Sequence, residues 1–135
     1  MSTVLREPGI ETLHDRVVSL LAQRWAKAFQ CRVTINTCLE QNRWAWVDQK
    51  ADIMGWMISP RGNSIQWIAE VETEESLSAP AAQSRWKRGA ELGVPFYLFV
   101  PRGHKDIARK AASAAEVAFN GMYEYAFVNG MLQLL

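Results

Sequence analysis

The sequence lacks most of the features that mark specialised protein classes. It has two cysteines, Cys31 and Cys38, and no C-x-x-C motif, which excludes a disulfide framework and indicates reduced thiols. With only His14 and His104 as further soft ligands, a structural zinc site is not expected. Apolar runs such as residues 94–100 are far shorter than the roughly 18–20 residues that span a bilayer, and no signal peptide is recognisable. We therefore expect a cytoplasmic protein without membrane association.

An excess of charge of either sign is also missing. Fifteen Lys and Arg residues balance 14 Asp and Glu residues in a chain of 135, for a formal net charge of +1. This excludes a globally basic nucleic-acid coat and an acidic tail. No phosphate-binding glycine loop is present, and neither histidine has a convincing nucleophile nearby in sequence. We interpret both histidines as surface residues, with a proton shuttle as the alternative.

Hydrophobic periodicity is well developed and predicts a single domain over residues 1–135. Apolar residues three and four positions apart indicate helices, and alternating or continuous apolar stretches indicate strands. In chain order, the predicted elements are helix 9–29, strand 31–38, strand 44–58, strand 65–73, helix 78–92, strand 94–100, helix 105–119 and strand 123–128. This α-β-β-β-α-β-α-β order predicts an α/β fold in which helices flank a mixed sheet.

Acidic residues gather on the third predicted strand. Glu70 and Glu72 are two residues apart, so they project from one face with their Cα atoms about 7 Å apart. A hairpin that turns near residues 59–64 would bring Asp52 beside one of them. Three carboxylates together repel one another unless a cation lies between them, and oxygen ligands suit Mg²⁺ or Mn²⁺. The alternative is that residues 70–75 are the solvated polar end of an edge strand.

Basic residues follow the acidic strand. Residues 83–110 hold seven Lys and Arg against two Asp and Glu, and Arg85, Lys87 and Arg88 begin this run. Gln83 is four residues before Lys87, on the same face of the predicted helix. Basic residues beside an acidic metal site would suit phosphodiester hydrolysis, because cations bind the phosphate backbone. The alternative is an ordinary solvated helix face.

The order of these residues resembles the PD-(D/E)XK nuclease superfamily, whose members have the restriction-endonuclease-like fold. The residues that carry the likeness are Asp52, Glu70, Val71, Glu72, Gln83 and Lys87. The resemblance covers most of the chain, from the first helix to strand 94–100, and rests on a short, degenerate motif. It implies that Asp52 and Glu70 bind metal together with the Val71 carbonyl, and that Glu11 lies beside the metal. Gln83 is similar to a helix glutamine found in some branches.

Two residues depart from the pattern of that superfamily. Ala51 stands in place of the motif's proline, and Glu72 stands in place of the lysine that orients or activates the attacking water. Three interpretations follow. Glu72 serves as a general base or a third metal ligand, Lys87 supplies the ammonium group from the helix, or the domain has lost cleavage and only binds.

The leading hypothesis is therefore a Mg²⁺- or Mn²⁺-dependent nuclease that hydrolyses nucleic acid, with DNA as the expected polymer. Its expected catalytic residues are Asp52, Glu70, Glu72 and Lys87, and its expected phosphate contacts are Gln83, Arg85, Lys87 and Arg88. The alternative is a catalytically inactive nuclease-like module that binds nucleic acid or a protein partner. A chain of this size is expected to dimerise or to act in a larger assembly. We interpret Trp44, Trp46 and Trp56 as core residues, with base-stacking surfaces as the alternative. A third hypothesis for the protein is an interaction domain whose tryptophans form a dimer surface.

Overall fold

The computed structural model describes residues 12–29, 31–35 and 51–135. Glu11, Cys38, Trp44 and Trp46, which the sequence singles out, lie outside these ranges. The helices are α1 Leu13–Phe29, α2 Glu74–Leu77, α3 Pro80–Ala90 and α4 Lys105–Ala115. The strands are β1 Arg32–Ile35, β2 Ile53–Ser59, β3 Gly62–Val71, β4 Phe96–Pro101, β5 Gly121–Val128 and β6 Met131–Leu134.

All six of these strands form one sheet in the order β1-β2-β3-β4-β5-β6. The first three strands are antiparallel neighbours, β4 runs parallel to β3 and to β5, and β6 returns antiparallel to β5. The two parallel connections contain α3 and α4, because a parallel crossover needs a long connecting segment. The predicted mixed α/β fold is confirmed.

The sheet buries a core on each face. On one face, Val17, Val18 and Leu21 of α1 pack against alternate strand residues that include Ala69 and Val71. On the other face, α3 and α4 pack against the strand residues that alternate with these, and Trp86 of α3 is completely buried. Because neighbouring residues of a strand point to opposite faces, β3 contributes to both cores.

Several element boundaries differ from the sequence-based expectation. The short helix α2 follows β3 and is capped by Thr73, whose hydroxyl accepts a hydrogen bond from the Ser76 N–H at 3.2 Å. The helix predicted over 105–119 ends at Ala115, because Glu116 adopts a left-handed conformation with φ of 58°. An additional strand, β6, follows a turn at Asn129 and Gly130, both of which have positive φ. Positive φ at both central residues is typical of a tight β-hairpin.

Within the described parts of the chain, no helix is both long enough and apolar enough to cross a membrane. Cys31 is a free, half-buried thiol. Trp56 is 3 % exposed, and its indole N–H donates to the Thr34 hydroxyl at 2.8 Å. Trp56 is therefore a core residue, as the sequence predicts, and does not offer a base-stacking surface.

Candidate functional site

The candidate site begins at Asp52, immediately before β2. Antiparallel pairing sets Ile53 opposite Ala69, so Asp52 lies level with the last residues of β3. There its Oδ2 accepts a hydrogen bond from the Val71 backbone N–H at 2.9 Å and lies 3.1 Å from Nε2 of His14 on α1. Asp52 is 1 % exposed, so these contacts replace hydrogen bonds to water. The register of the hairpin positions this carboxylate.

His14 links Asp52 to a second acidic side chain. Its Nδ1 lies 3.2 Å from the Oδ1 of Asp15, while its Nε2 faces Asp52. Only the protonated imidazolium can donate from both ring nitrogens at once, so this geometry favours the charged form. The expectation that His14 lies at the surface was wrong, since α1 buries it against the sheet. His14 thus stabilises the Asp52 carboxylate.

Glu70 is completely buried next to Asp52. Burial, followed by the negative charge of Asp52, raises the pKa of Glu70 well above its ordinary value of 4.5. For Asp52, burial would raise the pKa, but the interaction with His14 opposes it, and the pKa lies below its ordinary value. The opposite directions of these two pKa changes mean that Glu70 is the group of the pair that binds a proton more readily.

Glu72 lies in a different environment from Glu70, although both point to the same face of the sheet. Its Oε1 accepts hydrogen bonds from Arg85 Nη2 at 2.7 Å and from the Ser76 hydroxyl at 2.8 Å. Its Oε2 accepts from Trp86 Nε1 at 3.1 Å, and its backbone carbonyl accepts from the Tyr125 hydroxyl at 2.9 Å. Burial raises the pKa of Glu72, against the opposing effect of Arg85. Glu72 therefore ties β3 to α2, α3 and β5.

The predicted phosphate-binding residues of α3 divide into two groups. Arg85 is 2 % exposed and pairs with Glu72, so its guanidinium group faces the protein interior. Lys87 and Arg88 are exposed, and Gln83 is half-buried. Arg85 therefore has an intramolecular partner in place of the expected contact with phosphate. Lys87 and Arg88 face solvent, where a phosphate could reach them.

The donor chemistry of the acidic pair suits a hard divalent cation. Asp52 and Glu70 present carboxylate oxygens side by side, and a cation would favour the ionised form of both. Within the described ranges, no three His, Cys, Asp or Glu side chains are grouped to hold a metal. Glu72 directs its oxygens to other partners, and Glu11 lies outside the described residues. Among the described residues, Asp52 and Glu70 are thus the two protein ligands available to such a cation.

Comparison of this chain with protein-family models, with curated protein sequences and with solved structures finds no match in any of the three. The roles of the residues at this site consequently rest on their geometry and chemistry.

Sequence reasoning expected Glu11 of the first helix at the site but missed the contribution of His14 and Asp15. His14 is three, four and seven residues before Val17, Val18 and Leu21, so it shares the buried stripe of the helix. That spacing was a usable signal that the ring faces the sheet. Asp15 carried no comparable signal, because a first-turn aspartate is equally typical of an exposed helix end.

Proposed function

We propose that this protein is a metal-dependent phosphodiester hydrolase acting on nucleic acid, with Asp52 and Glu70 as its acidic centre. The observation that carries the proposal is the burial of these two carboxyl groups on neighbouring strands, at the end of the β2–β3 hairpin where the register brings them level. Burying two adjacent carboxyl groups is unfavourable unless a proton or a cation compensates their charge. Such arrangements are typical of functional sites and less common in ordinary cores.

Asp52 and Glu70 would hold Mg²⁺ or Mn²⁺, which supplies Lewis-acid stabilisation of the phosphoryl oxygens and an activated water. Glu70 would lose its proton on binding the cation, since the cation replaces the proton as the compensating charge. His14 would keep Asp52 oriented through its Nε2 contact of 3.1 Å. Lys87 and Arg88, both exposed on α3, are candidates for contacts with the phosphate backbone.

A second candidate function is a nuclease-like module that binds nucleic acid without cleaving it. The arrangement around Glu72 favours this alternative. At the position of the motif lysine, the chain has a carboxylate whose two oxygens accept hydrogen bonds from Arg85, Ser76 and Trp86. A group engaged in this way supplies neither a general base nor an ammonium group to a substrate.

Cleavage and metal binding together test the proposal. With Mg²⁺ or Mn²⁺, we expect the wild type to cleave single-stranded or duplex DNA, and Asp52→Asn and Glu70→Gln to lower the rate by about 100-fold or more. The control is Glu75→Gln, which changes an exposed carboxylate and should retain full activity. Circular dichroism of each variant separates loss of chemistry from loss of fold.

Calorimetry with Mn²⁺ distinguishes the two candidate functions. Binding of the ion to the wild type, and its loss in Glu70→Gln, would support the hydrolase. A folded wild type that binds no Mn²⁺ and cleaves nothing, but still binds DNA, would overturn the hydrolase and support the non-cleaving module. The homodimer or larger assembly and the cytoplasmic location expected from the sequence remain predictions.

A further inference from the structure

An aromatic pocket lies on the α1 face of the sheet, separate from the acidic pair. Its volume is about 370 Å³, within the usual range for small-ligand sites. One helix residue and five strand residues line it: Trp25, Trp67, Tyr97, Phe99, Tyr123 and Leu134. Five of the six side chains are aromatic, and the proposed hydrolytic site uses none of them.

Two glycines allow rings of this pocket to lie across the sheet. A Cβ atom on Gly55, the β2 partner of Trp67, would come within 2.1 Å of the Trp67 indole. A Cβ atom on Gly121 would come within 2.6 Å of the Tyr123 hydroxyl. Both rings therefore occupy the space above a glycine backbone, where any larger residue would displace them. The sheet thus has an aromatic floor in this region.

Trp25 of α1 forms a wall beside this floor. Its ring meets Trp67, Tyr97 and Phe99 edge-on, with interplanar angles of 78°, 82° and 62°. Tyr123, by contrast, is inclined by only 34° to Tyr97 and by 30° to Phe99. A planar ligand could stack on the floor and contact the edge or face of Trp25. Stacked and edge-to-face arrangements are the ones that aromatic rings favour.

Basic side chains of α1 lie on the same face of the sheet. Arg24, adjacent to Trp25, donates a hydrogen bond to the Leu132 carbonyl of β6, the strand that also supplies Leu134 to the pocket. Arg16 lies over Phe127 of β5, with its guanidinium carbon 5.8 Å from the ring centroid. Arg24 is exposed beside the pocket, so a phosphate attached to a bound ring would meet positive charge here, and the exposed Arg16 adds positive charge farther along α1.

We propose that this pocket takes an unpaired base of single-stranded nucleic acid. This inference rests on the proposed function and names the form of its substrate. An aromatic floor and wall bordered by Arg24 match a planar base joined to a phosphate, whereas a base stacked inside a duplex cannot enter. His14 and Trp25 are eleven residues apart on α1, which is roughly 16 Å along the helix. A strand lying along α1 would thus extend from the pocket towards His14, the α1 residue that contacts Asp52.

Fluorescence anisotropy with a short, labelled oligodeoxythymidylate in EDTA tests the pocket without any cleavage. The principal variant is Tyr123→Leu, since Tyr123 is 39 % exposed and its replacement should leave the fold intact. We expect its affinity to fall about tenfold, as the loss of one stacking contact predicts. The matched control is Val128→Ala, which changes an exposed apolar residue of the same strand outside the pocket and should keep the affinity within about twofold of the wild type.

A second probe is a duplex of the same sequence, which should bind more weakly than the single strand and be insensitive to Tyr123→Leu. Equal effects of Tyr123→Leu and Val128→Ala on single-strand affinity would contradict the proposal that the pocket binds a base. So would concentration-dependent self-association that Tyr123→Leu abolishes, because the occupant would then be a second copy of the chain.

The two proposals fail in different ways. Binding that depends on Tyr123, without any metal-dependent cleavage, would contradict the proposed hydrolase activity and support base binding in the pocket. Cleavage that depends on Glu70, with single-strand affinity unchanged in Tyr123→Leu, would contradict base binding in the pocket and support the hydrolase activity.

Discussion

Glu72 shows how a single side chain can have a structural role where a sequence motif predicts chemistry. It is completely buried, and Arg85, Ser76 and Trp86 each donate a hydrogen bond to its carboxylate. These donors come from two different helices, so the contacts join α2 and α3 to the end of β3. A buried charge with such partners is costly to expose or to leave unpaired.

Loss of the Arg85 guanidinium group that pairs with Glu72 should strongly destabilise the fold. We expect Arg85→Met to lower the free energy of unfolding by about 3–5 kcal/mol, because it leaves the carboxylate buried without its counter-charge. Urea denaturation gives the value, and Arg88→Met, which changes an exposed arginine of the same helix, should stay within about 0.5 kcal/mol of the wild type.

The double variant Glu72→Met/Arg85→Met provides a stricter test of the ion pair. It should recover much of the stability lost in Arg85→Met, since no unpaired charge is left in the core. If the double variant is as unstable as Arg85→Met, the loss comes from the packing of the arginine side chain and the interpretation of the pair is wrong.

At the level of elements, α3 approaches the sheet closely through a glycine. A Cβ atom on Gly89 would lie 2.7 Å from Cζ of Phe96 and 3.2 Å from Cδ1 of Ile68, both buried side chains. Contacts this short require the neighbours to move. Gly89 therefore sets the distance between α3, which carries Arg85 and Trp86, and the sheet.

Substitution of that glycine should destabilise the protein despite its helical position. Overpacking costs about 1–3 kcal/mol, while replacing glycine by alanine within a helix gains about 1 kcal/mol. We expect Gly89→Ala to lower the melting temperature by several degrees. Ser84→Ala, at an exposed position of the same helix, should leave it unchanged or raise it slightly. A melting temperature for Gly89→Ala at or above that of the wild type would show that Phe96 and Ile68 can move aside.

The elements with strong periodicity were predictable, and those with weak local signals were not. The apolar spacing of α1 and the continuous apolar run of β4 identified both correctly. The short helix α2 has only four residues, too few to show a period. The strand β6 was missed although Asn129-Gly130 between apolar residues is a known hairpin signal.

For the molecule as a whole, the acidic pair should make stability depend on pH. The pKa of Glu70 is raised on folding, so its contribution to stability is fully present below about pH 4.5, its ordinary value, and declines as the pH rises towards its folded pKa. The pKa of Asp52 is lowered, so its contribution declines only in more acidic solution, below its ordinary value of 3.8. Between pH 4.5 and neutrality, the contribution of this pair to the pH dependence of stability therefore comes from Glu70.

Glu70→Gln should remove this dependence. The stability of the variant relative to the wild type should increase with pH above pH 4.5, by up to about 1.4 kcal/mol per pH unit for one proton. Urea denaturation at a series of pH values measures this difference, and Glu75→Gln provides the exposed control. A difference that stays constant from pH 4.5 to neutrality would contradict the raised pKa of Glu70.

The amino-acid sequence by itself determined the fold class, most of the elements and the neighbourhood of Asp52 and Glu70. Hydrophobic periodicity and a turn between two strands are local properties, and they suffice for these conclusions. Only the tertiary structure decided which carboxylate pairs with which partner. Glu70 and Glu72 are equivalent in the pattern of the strand, yet Glu70 lies beside Asp52, which contacts His14 of α1, whereas Glu72 pairs with Arg85 of α3. Their partners come from helices on opposite faces of the sheet, and no local pattern encodes packing between segments so distant in sequence.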